Sequence, residues 1–401
     1  AISYALRNNK TLINSKYGID KAKEKEWETI AAGLPQVNAN LDYTNYLGAE
    51  IQLKLSEQAP AVGIPFNPTS NLKLTATQLI FNGSYYIGIQ LSKLASNIAI
   101  LDYQKNENDI KVEVAKAYYL VLVTERTLKI INSNIDNTML IYEKTKNLVK
   151  AGIIEQTEAD KLYIMVNSIE NTHKATERQL EMAYNLLRLY LGVDADKIIK
   201  LSNNIDELMN NKNNLISEQE AFNIEKNIDY KLISAQEGIL KKQITLAQTS
   251  YLPNIAGYYS YTEKLLTTAF DMTPKNVIGL SVNIPIFSSG IRKAKVNQSK
   301  IDFAIIKNSK DLAIQQLSIQ EKQLRYNLKN ILEQFENQKN NVEIAKEVYD
   351  KMSLKYQQGI VSSLELTSAN SNYLNAEAAY TNLIFQLLDA ELSLRKINGN
   401  L

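Results

Sequence analysis

Cysteine is absent from the 401-residue sequence, which excludes a disulfide framework and thiolate metal sites. Histidine occurs once, as His173. It falls on an apolar helical stripe between Ile169 and Thr176, where packing accounts for it, and a lone histidine builds neither a metal nor a catalytic centre. The 6 methionines form no stripe or cluster that would relay a soft metal ion. No nucleophile elbow, phosphate loop or metal-ligand spacing occurs, so no catalytic residue, no bound metal and no cofactor is expected, and an enzyme is not expected. Charge of one sign is also lacking. Lys+Arg 45 against Asp+Glu 43 leaves +2, no footprint for nucleic acid. No run of 18 or more apolar residues is present, so no transmembrane helix is expected. The pattern is helical from Ala1, without a charged and then apolar leader, and reads as a chain whose signal peptide has been removed.

Proline (7) and glycine (14) are scarce, and most sit in short clusters near Gly33, Gly48–Pro68, Gly83–Gly88, Gly152, Gly192, Pro253, Pro274–Gly290 and Gly359. Helix breakers so grouped leave long uninterrupted helices between them. One such stretch carries a heptad seam through Leu324, Leu328, Ile331, Phe335, Val342, Ala345, Tyr349, Met352 and Tyr356, with Gln338 its polar member. The rhythm resumes after Gly359 at Leu366, Ala369, Tyr373, Ala376, Tyr380, Leu383, Leu387, Ala390 and Leu394. A 3.5-residue period held this long predicts an antiparallel helical hairpin that supercoils against its neighbours.

The rest of the chain follows one plan twice. Residues 1–31 read as a helix ending at Gly33-Leu34-Pro35. The period then becomes two, with Val37, Ala39, Leu41 and Tyr43 alternating with polar residues, and again with Leu72, Leu74, Ala76 and Ile80 beyond a loop at 47–70. These are strands with one apolar face. From Ser84 to Lys150 one helix is predicted, about 100 Å long at about 1.5 Å per residue, and a turn at Gly152 sends a return helix to Leu191-Gly192. The second round has a helix to Tyr251-Leu252-Pro253, a strand with Ile255, Gly257, Tyr259 and Tyr261, and a strand with Ile278, Leu280, Val282, Ile284 and Ile286 on one face. Asn9, Leu34, Pro35, Tyr43 and Thr44 match Asn227, Leu252, Pro253, Tyr261 and Thr262 at a shift of 218; Gly83, Tyr142, Gly152, Ile153 and Glu158 match Gly290, Tyr349, Gly359, Ile360 and Glu365 at a shift of 207. Residues 1–192 and 226–401 therefore read as two structural repeats, and the Asn-rich stretch 193–225 as a linker with a short helix.

Four strands cannot close a membrane barrel alone, since the smallest have about eight, and open edges are not tolerated in lipid. Several chains must pool their strands, or the strands must join another sheet. Tyr43, Tyr46, Tyr85, Tyr86, Tyr251, Tyr258, Tyr259 and Tyr261 lie where an aromatic girdle would sit, although a soluble sheet with a Tyr-rich face fits the same residues.

The order helix, Leu-Pro, strand, strand, Phe-x-x-Gly, long helix, Gly turn, helix, Leu-Gly, given twice, resembles the TolC family of outer-membrane efflux proteins over essentially the whole chain. The most specific segments are Leu34-Pro35, Leu252-Pro253, Ile284-Pro285-Ile286-Phe287-x-x-Gly290 and Tyr356 through Leu366. The resemblance implies a mainly α protein with membrane β structure, in which four strands per chain of a homotrimer form a twelve-stranded β-barrel continued by a periplasmic α-helical barrel. It implies a passive export duct in the cell outer membrane, a subunit of a tripartite efflux or type I secretion system. Its partners would be a periplasmic adaptor, an inner-membrane pump and outer-membrane lipid, and no nucleic acid. Adaptor contact falls on the tips Gly152, Ile153 and Ile154, and Gly359, Ile360 and Val361. Glu158 and Glu365 fall where family members often carry gate acids, although Val361 stands where some have arginine and Ser368 replaces a second acid. The lipid-facing strand would be Ile278, Leu280, Val282, Ile284 and Ile286. The rival reading is a soluble or peripheral coiled-coil scaffold, or a helical pore-former.

Overall fold

The computed structural model describes residues 1–54, 60, 62–210, 221–266 and 273–401. The chain runs α1 (Ile2–Asn8), α2 (Lys10–Ala31), β1 (Gln36–Thr44), β2 (Glu50–Leu53), β3 (Val62–Pro65), β4 (Thr69–Asn82), α3 (Gly83–Lys150), α4 (Gln156–Leu191) and α5 (Ile205–Asn210). After a 3-10 turn at Ile224–Lys226 come α6 (Ile228–Thr249), β5 (Asn254–Leu266), β6 (Asn276–Asn283), α7 (Ile291–Gln357) and α8 (Ser363–Asn398). The long helices α3 and α7 have 68 and 67 residues, and the return helices α4 and α8 have 36 each. Two units divide the chain, and α3 and α7 contribute to both.

The first unit comprises Ala1–Tyr17, Leu101–Leu232 and Lys310–Leu401. Its core includes the predicted seam, where Leu328, Ile331, Phe335, Val342 and Tyr349 on α7 and Leu366, Ala369, Leu387, Ala390 and Leu394 on α8 are buried; a second cluster holds Ala5, Val114, Val121, Ala183 and Leu187. Gln338, the polar member, donates from Nε2 to the Ala376 carbonyl at 3.0 Å, so the interruption is satisfied across the hairpin. The helix expected over 1–31 is broken at Asn9, whose extended backbone ends α1. Its Oδ1 accepts from the Thr11 and Leu12 amides at 2.9 and 3.3 Å, capping α2, while Nδ2 donates to the Tyr190 carbonyl at 2.8 Å. Asparagine competes with the helix for backbone partners, and a buried position forces that choice. Asn227 repeats the arrangement, capping α6 through the Asp229 and Tyr230 amides and donating to the Ile397 carbonyl at 2.9 Å. The glycines closing α4 and α8, Gly192 and Gly399, take left-handed φ of 72° and 70°. They sit so close to the Asn8 and Lys226 carbonyls that a Cβ would lie 2.3 and 2.7 Å away. In the stretch read as a linker, α5 buries Ile205 among Leu122, Ile384 and Leu388, and residues 211–220 lie outside the described residues.

The second unit comprises Gly18–Ile100 and Ile233–Ser309. Its antiparallel sheet has the order β1-β4-β5-β6. The loop expected at 47–70 instead holds the β2–β3 hairpin, paired Glu50↔Pro65 through Leu53↔Val62. Its short Ile-x-Leu and Val-x-Ile segments are too brief for periodicity to separate from a loop. The last strand ends at Asn283, before Pro285, which has no N–H to continue a ladder. Ile284 and Ile286 therefore lie outside β6.

Candidate functional site

Two regions stand out, one in each unit. In the second unit the register sorts side chains by chemistry. Directly paired residues share a face, and one face carries the rows Val37–Ala76–Tyr259–Ile278 and Ala39–Leu74–Tyr261–Asn276, continued by Gly257–Leu280 and Ile255–Val282. The other face carries Asn38–Thr75–Ser260–Val277 and Asn40–Lys73–Thr262. The sheet is thus apolar on one side and largely polar on the other across all four strands. On the apolar side Ile278 is 85% exposed and Leu280 62%, an area of bare hydrocarbon unusual for a surface facing water. Ile284 and Ile286, placed with them by sequence, are equally bare but stand beyond the strand. The edge strands β1 and β6 have no ladder partner on their outer sides among the described residues.

In the first unit the two Gly turns have one geometry. Gly152 and Gly359 adopt left-handed φ of 70° and 72°. At the first turn the Gly152 and Ile153 amides donate to the Val149 and Leu148 carbonyls; at the second, the Gly359 and Ile360 amides donate to those of Tyr356 and Lys355. This double closure caps each long helix, and the left-handed residue requires glycine. The turn then lifts Ile153 and Ile360 outward, 67% and 65% exposed; Ile154 and Val361 are half-buried behind them.

The two acids have different surroundings. Glu365 closes a capping box on its own helix: its Oε2 accepts from the Ser362 amide at 2.8 Å, and its own amide donates to Ser362 Oγ at 3.3 Å. Glu158, in the first turn of α4, reaches across to α8, where its Oε2 accepts from the Ser363 amide at 3.1 Å while Lys161 Nζ donates to Oε1 at 2.8 Å. The Lys161 ammonium, then the Ser363 contacts, hold the Glu158 carboxyl below the usual carboxylate range. A carboxyl whose pKa is lowered by folding contributes stability above its ordinary pKa and loses it as pH falls through the lowered value. Acidification below about pH 4 is therefore expected to reduce the protection of the Ser363 amide in hydrogen exchange, and Glu158→Gln to remove that pH dependence. Equal protection at neutral and acid pH would contradict the contact.

Sequence reasoning missed a third element of this unit. Arg126 on α3 donates from one terminal nitrogen to Glu377 Oε2 at 2.9 Å and Thr381 Oγ1 at 2.8 Å, both on α8, and from Nε to Asp206 on α5 at 3.2 Å. Its guanidinium lies 5.3 Å from the centre of the Tyr380 ring. Burial, then the Glu377 carboxylate, push the nearby Tyr373 hydroxyl up to about 12. Lower on the same helices Asn134 Nδ2 donates to Asn370 Oδ1 at 2.6 Å. His173 is half-buried beside Glu177. Among the described residues no group of acids, histidines or cysteines could hold a metal ion, and no helix is long and apolar enough to cross a membrane.

Against this geometry, the family model described as outer membrane efflux protein matches residues 1–193 and 235–400. The chain belongs to the outer membrane efflux protein family. A curated relative of this efflux protein, the outer membrane protein TolC of Escherichia coli K12, is 22% identical over 98% of the chain and 80% of its own length. Among solved structures, the outer membrane protein VceC of Vibrio cholerae superposes with a TM-score of 0.76 at 14% identity, covering 99% of this chain and 95% of that one. The open state of the MtrE outer membrane channel of Neisseria gonorrhoeae gives 0.77 at 16% identity, covering 99% and 88%. The efflux protein is a channel of the outer membrane that extends into the periplasm.

Proposed function

We propose that this efflux channel is a homotrimeric, passive export duct, in which three copies pool their sheets into a twelve-stranded barrel and the helices continue the wall into the periplasm. The observation that carries the reading is the two-faced sheet whose two edges are unpaired among the described residues. The order β1-β4-β5-β6 is antiparallel throughout, so β1 and β6 run in opposite directions. Head-to-tail addition of copies therefore continues the antiparallel ladder at every junction, and closure removes the edges that lipid would not tolerate. Ile278, Leu280 and Val282 face lipid in this arrangement, with Ile284 and Ile286 at its border. Residues 1–192 and 226–401 act as two repeats of one stave, tied by the segment 193–225. A coiled-coil scaffold would have no use for the bare apolar face of the sheet.

The tips are the proposed working end. Ile153 and Ile360, held outward by the Gly turns, with Gly152, Ile154, Gly359 and Val361, offer apolar surface for a periplasmic adaptor that couples the duct to an inner-membrane pump. Glu158 and Glu365 are the gate acids, and threefold symmetry would gather them into a cation-attracting constriction. Of the two, Glu158 is the one that bridges the hairpins. Replacing Ile153 and Ile360 together by aspartate should leave insertion and trimer mass unchanged while abolishing export, read as drug accumulation in cells that depend on this channel. Undiminished export by a correctly inserted double variant would remove the docking role.

A further inference from the structure

The two repeats treat their short helices differently. Both α2 and α6 have 22 residues and each leads into a strand of the sheet. In the second unit α6 is flanked twice. Its own long helix stands on one side, with the Arg292 guanidinium 5.7 Å from the Tyr251 ring just past α6. The long helix of the other repeat stands on its second side: Ser84 Oγ lies 2.8 Å from Thr249 Oγ1, and Lys242 Nζ donates to Gln90 at 2.8 Å. Of the 22 residues of α6, 17 are at least half-covered.

Helix α2 has the first kind of neighbour, since the Tyr85 hydroxyl on α3 donates to the Ile30 carbonyl at 2.9 Å. Among the described residues it has no counterpart of the second. Most of its turns are bare, and its largest side chain, the only tryptophan of the chain, is 57% exposed. By the repeat shifts of 218 and 207, Thr249 corresponds to Ala31, Lys242 to Glu24, Ser84 to Ile291 and Gln90 to Asn297. The missing neighbour of α2 is therefore an α7. Trp27 corresponds to Thr245, about midway between Lys242 and Thr249, and so falls opposite the counterpart of Ile87, which is Ala294.

We infer that Trp27 is the anchor between copies of this chain, seated against the opening turns of the neighbouring copy's α7 over the small side chain of Ala294 and beside Ile291. The inference rests on the shared-barrel reading, in which β6 of one copy lies beside β1 of the next and brings the start of α7 to α2. Ala294 and Ile291, the latter 59% exposed, are both uncovered in the single chain. A large aromatic against a small residue with an aliphatic at its side is the composition of an interface hot spot.

The test uses the full chain extracted in detergent. Because the sequence has no cysteine, Trp27→Cys with Ala294→Cys introduces the only thiols. Oxidation is expected to give reducible dimers and trimers on a denaturing gel. Trp27→Cys with Ile305→Cys, about 16 Å further along the helix at about 1.5 Å per residue, should remain monomeric. In the unaltered protein the single tryptophan is expected to emit at shorter wavelength and resist acrylamide quenching several-fold better when assembled than when dissociated. An assembly of trimer mass whose Trp27 stays water-exposed, or whose cysteine pair does not link, overturns the anchor and leaves the barrel standing. A wild-type chain that never exceeds monomer mass overturns the barrel reading itself. Should the double variant not assemble, the fluorescence of the unaltered protein decides alone.

Discussion

Replacing Leu280 and Val282 together by lysine is expected to abolish insertion into the outer membrane. Both side chains project from the apolar face of β6, paired across the sheet with Gly257 and Ile255, and both are largely bare in the single chain. A lysine on the lipid face of a barrel costs about 2–4 kcal/mol near the bilayer midplane, so the pair would remove a large part of the stability of an ordinary fold. The neighbouring Ser281 lies on the opposite face, paired with Ala256. Ser281→Lys should insert nearly normally, because a lysine there meets water. Membrane fractionation of the two variants separates a specific lipid-facing requirement from a general intolerance of charge. Normal insertion of the double variant would mean that this face does not meet lipid.

The second large effect is expected from Arg126→Ala. The guanidinium and the Glu377 carboxylate are only 15% and 10% exposed, and removing one partner of a buried pair costs about 3–5 kcal/mol, because the remaining charge stays in a poorly solvated site. The same substitution frees Asp206 and so loosens α5, whose Ile205 plugs the core. Thermal unfolding in detergent should show a clear fall in midpoint for Arg126→Ala. Combining Arg126→Met with Glu377→Met should recover most of it, since an apolar pair of similar volume is often neutral in such a place. If the single variant melts like the unaltered protein, the network is decorative and α5 is held by the apolar contacts of Ile205, Leu208 and Met209.

The sequence made most of the helical architecture legible because a heptad repeat is a local signal. Leu328, Ile331, Phe335, Val342 and Tyr349 are buried as their spacing demands, and Gly152 and Gly359 close their helices as left-handed residues. Strand alternation likewise gave the two faces of the sheet, since a period of two assigns faces without knowledge of neighbours. What depended on distant partners was hidden. Asn9 breaks its helix because it reaches the carbonyl of Tyr190, 181 residues away, and no local pattern announces that. The matching of Asn9 with Asn227 was in view, but its meaning needed the two helix ends they clasp. Glu158 and Glu365 look equivalent in sequence and differ in structure, because only the first has Ser363 of the other hairpin within reach. Arg126 carried no signal beyond being a cation on a long helix. The β2–β3 hairpin was too short to show a period, and Pro285 marked the end of β6 before the apolar alternation stopped.

This chain is proposed to build a membrane channel by pooling its strands between copies. Planar-bilayer recording on detergent-extracted protein of measured mass tests it most directly. Particles of three 45.3 kDa chains that insert as discrete, reproducible conductance steps are expected. A monomer that stays in solution without detergent and gives no conductance would contradict it.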